Sequence, residues 1–258
     1  SATTGVRNTA IGSGSLDAST TGDNNIAIGD QALGANTTGS NNVAVGRNAM
    51  IVNTTTDNNT AVGRSALQQN AAGNNTAVGR DALAANTTGT RNVAVGGLAL
   101  DANTTANDNV AMGYAAGGAI TTGAENVTVG NYANDANVTG NYNTAMGHGA
   151  LGANTASNNT AVGRKALLTN STGTQNVAVG GEALEANTTG NYNVALGKNA
   201  LLSNTTADNN TAVGTYSLDA NTTGANNTAL GFAALGANTT AGPNTAVGAY
   251  ALVANTTG

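Results

Sequence analysis

The sequence predicts an all-β parallel solenoid, or β-roll, of about fifteen coils, and three observations lead there. A unit of the form G-x-x-A-L-x-A-N-T-T-G-x-N-N-[VT]-A-V returns fifteen times in 258 residues, its anchor glycines running from Gly12 and Gly29 to Gly231 and Gly248. The step is seventeen residues, apart from two steps of sixteen, Gly63 to Gly79 and Gly147 to Gly163. Both short steps lose their residue in the Asn/Thr/Gly stretch and keep the apolar segments whole, which marks that stretch as a surface turn. A repeat of seventeen is too short for a helix pair, since helical solenoids use roughly 33 or more residues per repeat. Stacked at roughly 4.8 Å per strand, fifteen such coils would make a rod on the order of 70 Å long, a single repeat-built domain over residues 1–258 without a linker.

The first element of each coil is a strand, N-[VTI]-A-[VIML]-G, as in Asn25-Ile26-Ala27-Ile28-Gly29. Side chains alternate along a strand, so Asn, Ala and Gly share one face and the two remaining residues share the other. The residue before Gly is always Val, Ile, Leu or Met, which marks a buried face; its companion two places earlier is Thr in eight coils and Val or Ile in seven, as at a rim. The opposite face is as restricted, with Ala in fourteen coils and Thr128 in the other. Restriction on both sides predicts burial on both, one inside the coil and one against a second chain.

Asn leads the strand in all fifteen coils: Asn8, Asn25, Asn42, Asn59, Asn75, Asn92, Asn109, Asn126, Asn143, Asn159, Asn176, Asn193, Asn210, Asn227 and Asn244. Stacked coil on coil, these residues are read as a structural Asn ladder whose amides bond to the coils above and below, in preference to a binding site.

The second element is A-L-x-A, with Leu in twelve coils and Met50, Gly117 and Asn134 in the others. Ladder continuity predicts a strand or extended bend; the helix preference of Ala and Leu leaves a single helical turn as the alternative. The N-T-T-G that follows is a turn, where Asn can bond its own backbone and Gly accepts positive φ.

Composition excludes several classes. Cysteine is absent, so there is neither a disulfide framework nor a thiolate metal site. Charged residues make up 8% of the chain and the formal charge is −5, which offers no basic stripe to nucleic acid. No apolar run reaches the roughly 18 residues of a membrane span, and no signal peptide stands at the N-terminus, so any secretion signal is expected to lie outside this sequence. The strict apolar register argues against disorder despite the high Gly content. Neither a Ca²⁺-binding nonapeptide nor a carboxylate cluster occurs, and one His, His148, supports no catalytic constellation. No cofactor, metal or enzymatic activity is expected.

A few positions depart from this pattern or carry chemistry of their own. Around Gly113 and Gly130 the core Leu is lost to Gly117 and Asn134, while Ile120, Glu125 and Thr128 break the consensus; the readings are an irregular coil or bend, or a ligand site. Arg47, Arg64, Arg80, Arg164 and Lys198 follow anchor glycines, either as a solvated mixed-charge edge with Asp30 and Asp81 or as a contact for anions or acidic glycans. N-x-[ST] sequons fall in the turns at Asn36, Asn53, Asn86, Asn103, Asn187, Asn204, Asn221, Asn238 and Asn255, possible glycosylation sites if the protein is secreted, with others at Asn58, Asn74, Asn158, Asn209 and Asn226. The N-T-T turns are expected to be the more accessible set.

The repeated N-x-A-V-G-x-x-A-L-x-A resembles the head repeats of YadA-like trimeric autotransporter adhesins over essentially the whole chain, with a longer coil whose excess lies in the N-T-T-G turn. That resemblance implies a left-handed parallel β-roll, three chains side by side, on the outside of a bacterial cell, and binding to surface glycans or matrix ligands. Three functions follow as expectations. The first is an extracellular structural and adhesive rod, the head or shaft of a surface adhesin or fibre. The second is a filament subunit stacking head to tail, since S-A-T-T-G and A-N-T-T-G at the two ends are matching phases of one repeat. The third is ice binding, which the interruption of the strand Thr row by Val disfavours.

Overall fold

A computed structural model of the chain describes residues 4–256, so the terminal residues that would carry the matching repeat phases lie partly outside the described residues. It is a parallel β-solenoid with a repeat of about seventeen residues and no helix among the described residues. These residues form two compact units divided after Asn126. The first carries β1 (Thr9–Ile11), β2 (Ile26–Ile28), β3 (Val43–Val45), β4 (Thr60–Val62), β5 (Thr76–Val78), β6 (Val93–Val95) and β7 (Val110–Met112). Each pairs in parallel with the next, Ala27 against Ala44 and Val43 against Thr60. The second carries β8 (Val127–Val129), β9 (Thr144–Met146), β10 (Thr160–Val162), β11 (Val177–Val179), β12 (Val194–Leu196), β13 (Thr211–Val213), β14 (Thr228–Leu230) and β15 (Thr245–Val247), paired in the same way. The sixteen-residue coils keep this register, with Thr60 opposite Thr76 and Thr144 opposite Thr160. Their turns take up the deletion: Asn70 Nδ2 donates to the carbonyl two residues on, Ala72, where Asn36 reaches three residues on to Gly39.

The anchor glycine ends each strand for a steric reason. Gly29 has φ 130°, and a Cβ there would lie 2.7 Å from the carbonyl of Gly46 in the next coil. No other residue fits both the backbone angle and the approach.

The A-L-x-A segment, expected as a strand or extended bend or else a helical turn, is neither strand nor helix. It is a run of tight turns in which Ala32, Gly34 and Asn36 each donate to the carbonyl three residues back, on Gly29, Gln31 and Leu33. Leu33 takes φ 50°, and the leucines at the same place in other coils do likewise. A left-handed non-glycine residue costs about 1–2 kcal/mol, but burying a Leu returns roughly 1.5–3 kcal/mol, so burial wins. Leu33, Met50, Leu67, Leu83 and Leu100 are fully buried in the first unit, as are Leu151, Leu167, Leu184, Leu201, Leu218 and Leu235 in the second.

The strand alanines face these leucines. Ala27, Ala44, Ala61, Ala77, Ala94 and Ala111 are fully buried, and so are Ala145, Ala161, Ala178, Ala195, Ala212 and Ala229. The aliphatic residues before the anchor glycines are therefore not inside the coil, as their composition had implied. They point outward with the Thr/Val column beside them, because the narrow interior opposite a Leu holds only a methyl group.

The irregular coil of the first unit is repaired from an unexpected position. Ile120 stands where other coils have the N-T-T-G asparagine, and it turns into the core and is fully buried. A Cβ on Gly117 would lie 2.9 Å from Ile120 Cδ1, so the isoleucine occupies the room left by the missing Leu. In the second unit Asn134 keeps the leucine position and its φ of 48°, fully buried, with neither Oδ1 nor Nδ2 hydrogen-bonded; the hydroxyl of Thr128, in place of a core Ala, is likewise buried and unpaired.

Candidate functional site

The outward face of the strands is the surface on which function can be built. Each strand contributes its first and third residues, so two columns run along each unit. The first column is β-branched throughout, Thr, Val or Ile, whose rigid χ1 keeps the face even. The third-residue column is aliphatic throughout, and no charged side chain interrupts either. Val78 is 36% exposed and Met112 46% in the first unit; Leu196 is 47% and Leu230 46% in the second. A continuous apolar strip of this kind goes beyond the scattered exposed hydrophobics normal for a protein surface.

Two polar columns hold the coils beneath it. In the first, Asn25 Oδ1 accepts from the Asn42 backbone N–H at 3.0 Å and its Nδ2 donates to the Gly39 carbonyl at 2.8 Å. Asn176 makes the same pair with Asn193 and Gly190 in the second unit. The link to the preceding coil is made by the residue's own N–H, as from Asn25 to Asn8 Oδ1 at 2.8 Å, and in several coils by the amide as well, as where Asn176 Nδ2 also donates to Asn159 Oδ1 at 3.3 Å. Within the two units all fifteen strand-leading asparagines, Asn8 to Asn244, take part.

The second column comes from the N-T-T-G asparagines. Asn53 Nδ2 donates to Asn36 Oδ1 at 3.2 Å, Asn103 to Asn86 at 2.8 Å, Asn187 to Asn170 at 2.8 Å and Asn238 to Asn221 at 2.9 Å, while each also donates to the turn carbonyl three residues on. The accessibility expected of Asn36, Asn53, Asn86, Asn103, Asn187, Asn204, Asn221 and Asn238 is not found: all eight side chains are fully buried, and the nitrogen a sugar would need is hydrogen-bonded to the ladder or to a turn carbonyl. Asn255 is half-buried with its Nδ2 enclosed and unpaired. Access is reversed, since Asn58, Asn74, Asn158, Asn209 and Asn226 are exposed. Where Ile120 interrupts the column, Asn103 Oδ1 is left without a donor.

Most of the basic residues at the edge are matched by carboxylates, though no ion pair is formed by Lys198 among the described residues. Arg47 Nε lies 3.8 Å from Asp30, Arg64 and Arg80 share Asp81 Oδ2 at 3.4 and 3.0 Å, Arg164 pairs with Glu182, and Lys165 lies 3.6 Å from Glu185. Arg91, missed in the sequence reading because it precedes a ladder Asn, grips Asp108 with two bonds of 2.6 and 2.7 Å. That hydrogen bond holds the Asp108 carboxyl below its ordinary range. Such exposed pairs contribute about 0–1 kcal/mol. Burial instead pushes Asp101, Asp135 and Asp219 upward, with their own backbone N–H groups opposing it. His148 is exposed and meets Tyr132 edge-on, with ring centroids 6.2 Å apart.

An open cleft of about 290 Å³ lies between Asp17, Gly34 and Ile51, and no group of three or more His, Asp or Glu among the described residues is placed to hold a metal ion. The geometry offers a sheet face for association and side chains that hold coils together. No protein-family model matches the chain, and no curated protein matches it.

Proposed function

We propose that this protein is a non-enzymatic structural and adhesive element of the cell exterior, the head or shaft of a surface adhesin or fibre, whose copies associate through their outer strand faces. The carrying observation is the uninterrupted aliphatic column on the outside of each unit, flanked by β-branched residues. Covering a half-exposed Val or Leu gains about 1 kcal/mol, and seven or eight such residues per unit make the face large enough to hold a partner against the entropy of association. A second copy carries the complementary strip by necessity, and the resemblance to YadA-like heads supports three copies. The paired, exposed charges along the edge and the neutral turns leave the sides free to meet glycans or matrix ligands.

Sedimentation of the native chain at several concentrations tests this. A discrete particle of three chains is expected, and Val78→Glu with Leu196→Glu should yield folded single chains. A wild-type chain that stays monomeric at every concentration defeats the proposal; open-ended polymers would replace the adhesin head with a filament subunit.

A further inference from the structure

We propose that N-linked sugar can be carried by the folded chain at Asn58, Asn74, Asn158, Asn209 and Asn226, and at none of the buried ladder asparagines. Each of the five opens an Asn-Asn-Thr sequon. Each adopts the left-handed conformation, with φ between 59° and 64°, which turns its side chain away from the coil, and all five are exposed. None of these side-chain amides is engaged in a hydrogen bond among the described residues, whereas the next residue in each case, Asn59, Asn75, Asn159, Asn210 or Asn227, is fully buried in the ladder. The Thr that completes the sequon is the first residue of a strand and lies on the outer face, so the acceptor nitrogen and the recognition hydroxyl are both reachable.

Sequence alone does not separate these five from the N-T-T-G sequons. Position in the coil separates them: one asparagine bridges two coils and the other stands on the bend before the strand. The buried class also contains the sequons at Asn126, Asn137 and Asn170, each fully enclosed. Placing a sugar on any member of that class would remove a ladder donor and force the turn open.

The chemistry is transfer from a diphosphate-activated sugar. A bond forms between Asn Nδ2 and the anomeric carbon as the anomeric C–O bond to phosphate breaks; the diphosphate leaves with the electron pair, and the amide proton passes to a base of the transferase. The proposal takes its biological setting from the extracellular reading above. Its test supplies the secretory route, so the two can fail separately.

The full chain, fused to a cleavable signal peptide, is secreted from a host that glycosylates N-x-[ST] sequons, and site occupancy is read by mass spectrometry after glycosidase treatment in heavy-oxygen water. Sugar is expected at the five exposed sites only, on protein whose circular dichroism matches the unmodified chain. The fivefold variant Asn58→Gln, Asn74→Gln, Asn158→Gln, Asn209→Gln, Asn226→Gln should lose all sugar mass and keep the fold, because Gln175 already holds the same position with φ 58°. Sugar on any N-T-T-G asparagine of the folded protein, or none on the five, overturns the proposal.

Discussion

The exchange of Gly117 and Ile120 against the consensus can be tested as a thermodynamic cycle. Ile120→Asn alone removes a fully buried side chain, a loss of roughly 2–5 kcal/mol. It returns about 1 kcal/mol by giving Asn103 Oδ1 the donor it lacks. Gly117→Leu alone drives a Cβ to 2.9 Å from Ile120 Cδ1 and 3.2 Å from Leu100 Cδ2. Overpacking of that kind costs about 1–3 kcal/mol, with a further 1–2 kcal/mol for a side chain at φ 60°, roughly the left-handed penalty. The single variants together should therefore lose at least about 3 kcal/mol. The double variant rebuilds the Leu and Asn pair of the regular coils, exchanges one aliphatic burial for another, and restores the ladder bond. It should fall within about 2 kcal/mol of the parent, leaving a favourable coupling of about 1 kcal/mol or more, where independent sites add to within about 0.5 kcal/mol. Urea unfolding followed by circular dichroism gives the totals. Because repeat arrays open locally, hydrogen exchange at the amides of Leu100, Asn103 and Ile120 locates the effect. Additive single variants would refute the idea that Ile120 stands in for the missing leucine.

Other outcomes follow from the same structure. Asn134→Leu should stabilise the second unit by about 3 kcal/mol, through a recovered Leu burial and the removal of two unpaired polar atoms; denaturation of the full chain measures it, and a neutral or destabilising result contradicts the account. Leu184→Asp should abolish folding by burying an unpaired charge, visible as loss of the β-type circular dichroism. Asp101, Asp135 and Asp219 have carboxyls raised by burial, so the unfolded chain gives up those protons first as pH rises through the ordinary carboxylate range. Their contribution is therefore absent well below that range, grows unfavourable through it, and is full above the raised values. Asp219→Asn should raise the melting temperature at pH 7 and have no such effect at pH 3; equal effects at both pH values would rule out burial as the cause.

The repeat period, the strand and the leading asparagine were all legible, because each leaves a fixed residue at a fixed spacing. Which strand face is inward was not. Alternation separates Ala27 from Ile26 and Ile28, but all three are apolar, and only the width of a seventeen-residue coil decides that the methyl group goes inside. The turn asparagines were misread as exposed because Asn, Thr and Gly also compose ordinary turns. A signal was present: Asn holds that place in thirteen of fifteen coils, a restriction that a solvated turn does not need. Ile120 is the counterpart, since its meaning appears only once Gly117 is seen to leave room for it. The left-handed leucines had no sequence signal, because Leu is not the residue that positive φ selects.

The unbroken register across the sixteen-residue coils carries a genetic consequence. Thr60 meets Thr76 as squarely as Val43 meets Thr60, so a coil is recognised by its neighbours through its strand and anchor glycine, and its length is free to vary in the turn. Loss or gain of one whole repeat by recombination between similar coding segments would join two compatible surfaces. Within each unit, then, inheritance can change the number of coils by integers without inventing a new contact, and the length of that unit becomes a trait adjustable by copy number.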